Sequence, residues 1–130
     1  MGQAHVTDDE FDDIISSALE ELPKQYTQNM KNVAIVMADD PTPEQRDKLN
    51  LHCNQTLYGL YEGIPLTKRG ANYNLVLPDK ITIFKNPILY SSPTKDAFKA
   101  QVKHTLWHEI AHHYGLDHDR IHEIERTQFK

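Results

Sequence analysis

Residues 103–118, KHTLWHEIAHHYGLDH, restrict the possible folds of this chain more than any other stretch. Upstream and through it, Phe98, Val102, Leu106 and Ile110 recur every four residues. That spacing puts them on one stripe of an α-helix. His108 and His112 share the same four-residue spacing but fall roughly 160° to 200° away at about 100° per residue. The fold must therefore anchor one side of a single helix in its core and present two imidazoles on the other side. Gly115 supplies the stop, because glycine adopts the left-handed conformation that ends a helix and turns the chain back. Ser91-Ser92-Pro93-Thr94 supplies the start.

Two imidazoles one helical turn apart can share one metal ion. Glu109 lies about 100° round the helix from His108. It is near enough to touch a metal-bound water without becoming a ligand. Beyond the glycine turn, His118 is placed to supply a third nitrogen. The full pattern is H-E-x-x-H-x-x-G-x-x-H, over His108, Glu109, His112, Gly115 and His118. Three protein ligands leave one coordination position open, the catalytic form of a zinc site rather than the closed structural form. The chain holds eight histidines in 130 residues, which makes a chance H-E-x-x-H easier. The Gly and His at the two further positions make coincidence much harder. His122, four residues after His118, is the alternative third ligand if the tail is helical. His113 points about 100° away from His112 and belongs behind the site or on the surface. His104, one turn before His108, belongs at the cleft or on the surface.

The remaining composition removes other classes. Net charge is −5 with the lysines and arginines scattered, which leaves no basic patch for nucleic acid. One cysteine, Cys53, cannot form an internal disulfide and reads as a small buried hydrophobe. No apolar run is long enough to span a membrane. The acidic, polar start MGQAHVTDDEFDD is unlike a signal peptide, so the expected location is the cytoplasm. The length suits one domain with a modest core, spanning residues 1–130 with flexible ends at 1–7 and 127–130.

Along the chain, Thr7-x-x-Glu10 has the form of a capping box, and Phe11, Ile14, Ile15, Ala18, Leu19 and Leu22 follow helical spacing up to Pro23. Val33–Met37 reads as an inner strand covered on both faces. Thr42-Pro43-Glu44-Gln45 starts one or two turns of helix. Leu57–Thr67 has imperfect alternation around Gly59 and Gly63, which suggests a bulge or a close backbone approach, and Pro65 points to an edge. Asn74–Leu77 is either a short strand or loop. Ile81–Phe84 is a clean strand by propensity, closed by Asn86-Pro87. Asp119–Lys130 reads as a short, loosely held helix carrying Ile121 and Ile124.

The extended motif is similar to that of the metzincin metallopeptidases. The chain as a whole more closely resembles the small single-domain zincin-like peptidases of bacteria, the minimal metalloprotease-like domains. That likeness covers nearly all of the chain. It runs through the acidic helix ending at Leu22-Pro23, then Asn32–Val36, Leu60–Thr67, Leu77–Phe84 and His108–His118. Metzincins carry a methionine turn beneath the metal, whereas the methionines here are Met1, Met30 and Met37, all upstream of the motif. The third-ligand position of the small family is often Asp, and here it is His118. The resemblance implies a reduced zincin-like α+β domain. It would comprise a small mixed sheet of three or four strands, an N-terminal backing helix and an active-site helix.

The expected activity is zinc-dependent endopeptidase cleavage, with Zn2+ held by His108, His112 and His118 and Glu109 as general base. The substrate is a peptide or protein in extended form, added to an exposed sheet edge at either Tyr58–Leu66 or Ile81–Phe84. The alternative is a non-proteolytic zinc-binding module that regulates or binds a partner. Nucleic-acid and membrane partners are not expected, and a monomer is the default. Trp107, Ala111 and Tyr114 are read as packing, and Arg120 as solvated.

Overall fold

A computed structural model describes residues 5–28, 33–51, 58–63 and 79–128; the side chains of residues 48–51, 118 and 128 lie outside that description. The elements in chain order are α1 (Asp8–Glu21), α2 (Lys24–Thr27), β1 (Val33–Ala38), α3 (Pro43–Leu51), β2 (Gly59–Glu62), β3 (Asp79–Phe84), α4 (Lys85–Tyr90), α5 (Lys95–His113) and α6 (His118–Gln128). The fold is a helix-rich α+β domain around a small mixed sheet, as expected. Cys53 and the Asn74–Leu77 segment lie outside the described residues.

The sheet has the order β1-β3-β2. β1 runs parallel to β3, with Val33 opposite Asp79 and Ala38 opposite Phe84. β2 runs antiparallel to β3, with Gly59 opposite Ile83 and Glu62 opposite Lys80. β3 is thus the central strand, and its side chains alternate between the two faces. Ile81 and Ile83 enter the main core with α5, while Phe84 packs with Leu60 and Ala38 in a smaller cluster on the other face. Two expectations change here. Val33–Met37 is an edge strand among the described residues, and Val36 and Met37 are exposed. Its apolar run reports β-propensity, not which side is covered. Ile81–Phe84 is paired along both sides, so it offers no edge to a peptide.

The helices start where the chemistry predicts. Thr7 Oγ1 accepts from the Glu10 N–H at 3.2 Å, and the Glu10 carboxylate accepts from the Thr7 N–H at 3.0 Å. Val6 and Phe11, on either side of this box, are both buried and staple the helix start. Thr42 and Gln45 repeat the reciprocal arrangement at the head of α3. Thr94 Oγ1 accepts from the Ala97 N–H at 3.1 Å and caps α5. α4 begins directly after β3, with Pro87 in its first turn, where a missing N–H costs nothing.

The anchoring stripe of α5 is fully buried: Phe98, Val102, Leu106 and Ile110 are each 0% exposed. Each contributes about 1.5–3 kcal/mol of transfer free energy. α5 packs on α1 along one flank, where Phe11 and Phe98 meet edge-on at 5.8 Å, and on β2 and β3 along another. α6 is not loosely held. Ile121 and Ile124 lie in the same core as α5. Their three-residue spacing forms the apolar stripe that docks the helix. None of the described helices is long and apolar enough to cross a membrane.

Candidate metal centre

His108, Glu109 and His112 occupy the last two turns of α5. The imidazoles of His108 and His112 meet edge-on, with centroids 4.6 Å apart and planes at 75°. His108 and Glu109 are buried, whereas His112 is partly exposed. Trp107 and Ala111 are fully buried, confirming that they pack. Trp107 meets Tyr26 edge-on at 5.0 Å, and Tyr26 meets Tyr114 at 5.4 Å. The Tyr114 hydroxyl donates to the Tyr26 carbonyl at 2.7 Å, so Tyr114 ties α2 to the end of α5.

The turn after the helix is built as its sequence requires. Gly115 has φ +77°, the left-handed conformation. Its N–H donates to the His112 carbonyl at 3.0 Å, and the Leu116 N–H donates to the Ala111 carbonyl at 3.1 Å. This pair of bonds is the Schellman motif. Two residues further on, the Asp117 carboxylate accepts from the Arg120 N–H at 2.8 Å. The Asp117 carbonyl accepts from the Ile121 N–H at 2.9 Å. Asp117 therefore caps α6, and His118 is the first residue of that helix. The side chain of His118 is outside the description. Among the described residues, no three His, Cys, Asp or Glu side chains converge on one metal position.

His122 and His104 are turned toward Glu125. His122 Nδ1 lies 3.2 Å from one carboxylate oxygen and His104 Nε2 lies 3.4 Å from the other. Arg120 is exposed and pairs with Glu123.

Glu109 is the electrostatic anomaly. Burial pushes its carboxyl up to about 8, while a backbone N–H donated by Tyr61 pulls the other way. The origin of that N–H lies in the sheet register. The Phe84 N–H donates to the Tyr58 carbonyl at 2.8 Å. In an antiparallel pair this makes Tyr58, Leu60 and Glu62 face β3, and turns the backbone groups of Gly59 and Tyr61 away from it. Glu109 thus receives an outward N–H of β2, an edge strand among the described residues.

The close approach of β2 to α5 depends on Gly59. A Cβ there would lie 2.6 Å from Thr105 Cγ2, 3.3 Å from Glu109 Cγ and 3.3 Å from the Thr82 carbonyl oxygen. Thr105 is fixed in turn, since its Oγ1 accepts from Gln101 Nε2 at 3.0 Å. Gly59→Ala should cost about 1–3 kcal/mol through overpacking. Thermal denaturation checks this, and combining Gly59→Ala with Thr105→Ser, which removes Cγ2, should recover much of the loss.

His113 is not on the surface. Its side chain is 2% exposed, and Nδ1 lies 2.9 Å from Asp79 Oδ2. The Tyr61 hydroxyl donates to the same oxygen at 2.7 Å. Sequence reasoning gave no role to Tyr61 or Asp79. Asp79 lies just ahead of the Ile81–Phe84 run that propensity marks as strand, and it is the first residue of β3. The His-His doublet at 112–113 was the one available signal.

A mixed sheet packed on a helix that carries paired imidazoles and a buried glutamate between them defines the zincin class of metal-dependent hydrolase. The family model for zincin-like metallopeptidases matches residues 30–128, and the chain belongs to that family. Comparison with curated proteins finds no match. The donor set fits zinc: two imidazoles on one helix face, one turn apart, beside a buried carboxyl.

Proposed function

We propose that this protein is a zinc-dependent endopeptidase in which His108, His112 and His118 hold the metal and Glu109 is the general base. The observation that carries this reading is the placement of Glu109. A carboxyl buried beside two imidazoles and tied to an outward N–H of an edge strand serves no purely structural metal site. Zinc, when bound, supplies Lewis acidity to a water and to the scissile carbonyl. Glu109 would be held in its charged form by that neighbouring positive charge, against the burial that keeps it protonated. In that form Glu109 accepts the proton of the attacking water and delivers it to the leaving amine. The substrate lies extended along β2, the edge on Glu109's side, with backbone hydrogen bonds giving affinity. The central position of β3 among the described strands supports this choice over the Ile81–Phe84 segment.

The reading predicts that the purified protein cleaves members of an unstructured peptide library. Chelation should abolish cleavage, and added zinc should restore it. Cleavage that persists in excess chelator would contradict it, as would a library left intact by zinc-loaded protein.

A further inference from the structure

Behind the proposed base lies a buried polar unit drawn from three elements: His113 at the end of α5, Asp79 at the start of β3 and Tyr61 on β2. The side chains of His113 and Asp79 are 2% and 3% exposed. A carboxylate oxygen only accepts, so His113 Nδ1 carries the proton and donates to Asp79 Oδ2 at 2.9 Å. The Tyr61 hydroxyl donates to the same oxygen at 2.7 Å and sits 3.4 Å from Nδ1. The exit of β2 is shaped around this carboxylate. A Cβ on Gly63 would lie 2.5 Å from Asp79 Cγ and 2.5 Å from Oδ1, so only glycine lets the strand pass.

An apolar trio of similar volume would hold this helix to this sheet at least as well, because buried charge is costly to desolvate. Directional bonds add something apolar contacts lack, a fixed position along the strand. Tyr61 is where that position matters. Its hydroxyl is held by Asp79, and its backbone N–H is the donor that Glu109 receives. A slip of Tyr61 by about 1 Å would take a normal N–H···O bond beyond its range. Misplacement of a reacting group on that scale costs about 100-fold in rate.

The geometry points to Asp79, His113 and the Tyr61 hydroxyl as positioning residues that set Glu109 through the Tyr61 backbone N–H. This deepens the peptidase reading and rests on Glu109 being the base, but its test does not require turnover. The test is site-resolved amide hydrogen exchange on the full chain as purified, comparing wild type with Glu109→Ala, Tyr61→Phe and Asp79→Asn. The Tyr61 N–H faces away from β3, whereas those of Leu60 and Glu62 face toward it. Glu109→Ala should speed exchange at Tyr61 at least about tenfold, the loss of one backbone hydrogen bond. Tyr61→Phe and Asp79→Asn should do the same while Leu60 and Glu62 stay protected. Tyr61→Phe keeps the ring and the Asp79–His113 pair, so it carries the test even if Asp79→Asn fails to fold. Where peptide cleavage is measurable, the two variants should lower kcat and leave KM and zinc content unchanged. Three exchange results would overturn the proposal. The first is an amide at position 61 that stays protected in Tyr61→Phe while Glu109→Ala exposes it, which would mean the network does not set the bond. The second is a Glu109→Ala protein in which the Tyr61 amide stays protected, which would mean the bond is absent. The third is joint acceleration at positions 60, 61 and 62, which would mean the network only holds β2 to the sheet. Failure of the peptidase reading would look different, with the exchange pattern intact and no peptide cleaved.

Discussion

On the proposed mechanism, replacing Glu109 by Gln should leave zinc bound and lower peptide hydrolysis by about 100- to 10,000-fold, the usual contribution of a positioned general base. Glutamine keeps the length of the side chain and an oxygen to receive the Tyr61 N–H. It lacks only the ability to take a proton. The substitution therefore isolates proton transfer from packing and from metal binding. Parallel measurements of cleavage rate and zinc content check it. A Glu109→Gln protein that cleaves peptide at the wild-type rate would remove Glu109 from the role.

The same substitution should stabilise the metal-free protein, and by a pH-dependent amount. Burial raises the folded-state pKa of Glu109 to about 8 from an ordinary 4.5. A raised pKa means the folded chain holds this proton more tightly than the unfolded chain. Stability from Glu109 is then fully present below about pH 4.5 and is lost as pH rises toward 8. One pKa unit corresponds to about 1.36 kcal/mol, so the loss over this window is on the order of a few kcal/mol. Glutamine does not titrate. Glu109→Gln and wild type should match at pH 4, and the variant should be the more stable by a few kcal/mol at pH 8. Urea denaturation of chelator-treated protein at both pH values checks this. Equal stability at both would mean that water reaches the carboxyl. On the proposed function such a site sacrifices stability for activity, because the Tyr61 N–H offsets only part of the cost of burying the charge.

The helix that carries the site was readable because its signals are local and periodic. Phe98, Val102, Leu106 and Ile110 mark the buried stripe, and Thr94 marks the start. Gly115 marks the stop through a backbone conformation that other residues rarely adopt. Capping at Thr7 and Thr42 was legible for the same reason, since each cap involves residues three apart. Relations across the fold were not legible. Val33–Met37 has the composition of an inner strand, yet its place at the edge is decided by which strand β3 pairs with. The tail helix carries two isoleucines among charges, and only joining the common core buries them. Tyr61, Asp79 and His113 are separated by 18 and 34 residues in sequence. No periodicity links a tyrosine in one strand, an acid at the head of another and a histidine at a helix end.

His118 sits where one helix cap hands over to the next, as the first residue of α6 beyond the Gly115 turn. In the proposed function this residue completes a metal centre begun by His108 and His112. The most direct measurement is the metal content of freshly purified protein, wild type beside His118→Ala. One zinc per chain is expected in the wild type, with a clear loss of zinc or of affinity in the variant. Wild-type protein that carries no zinc and takes up none when zinc is added would contradict it.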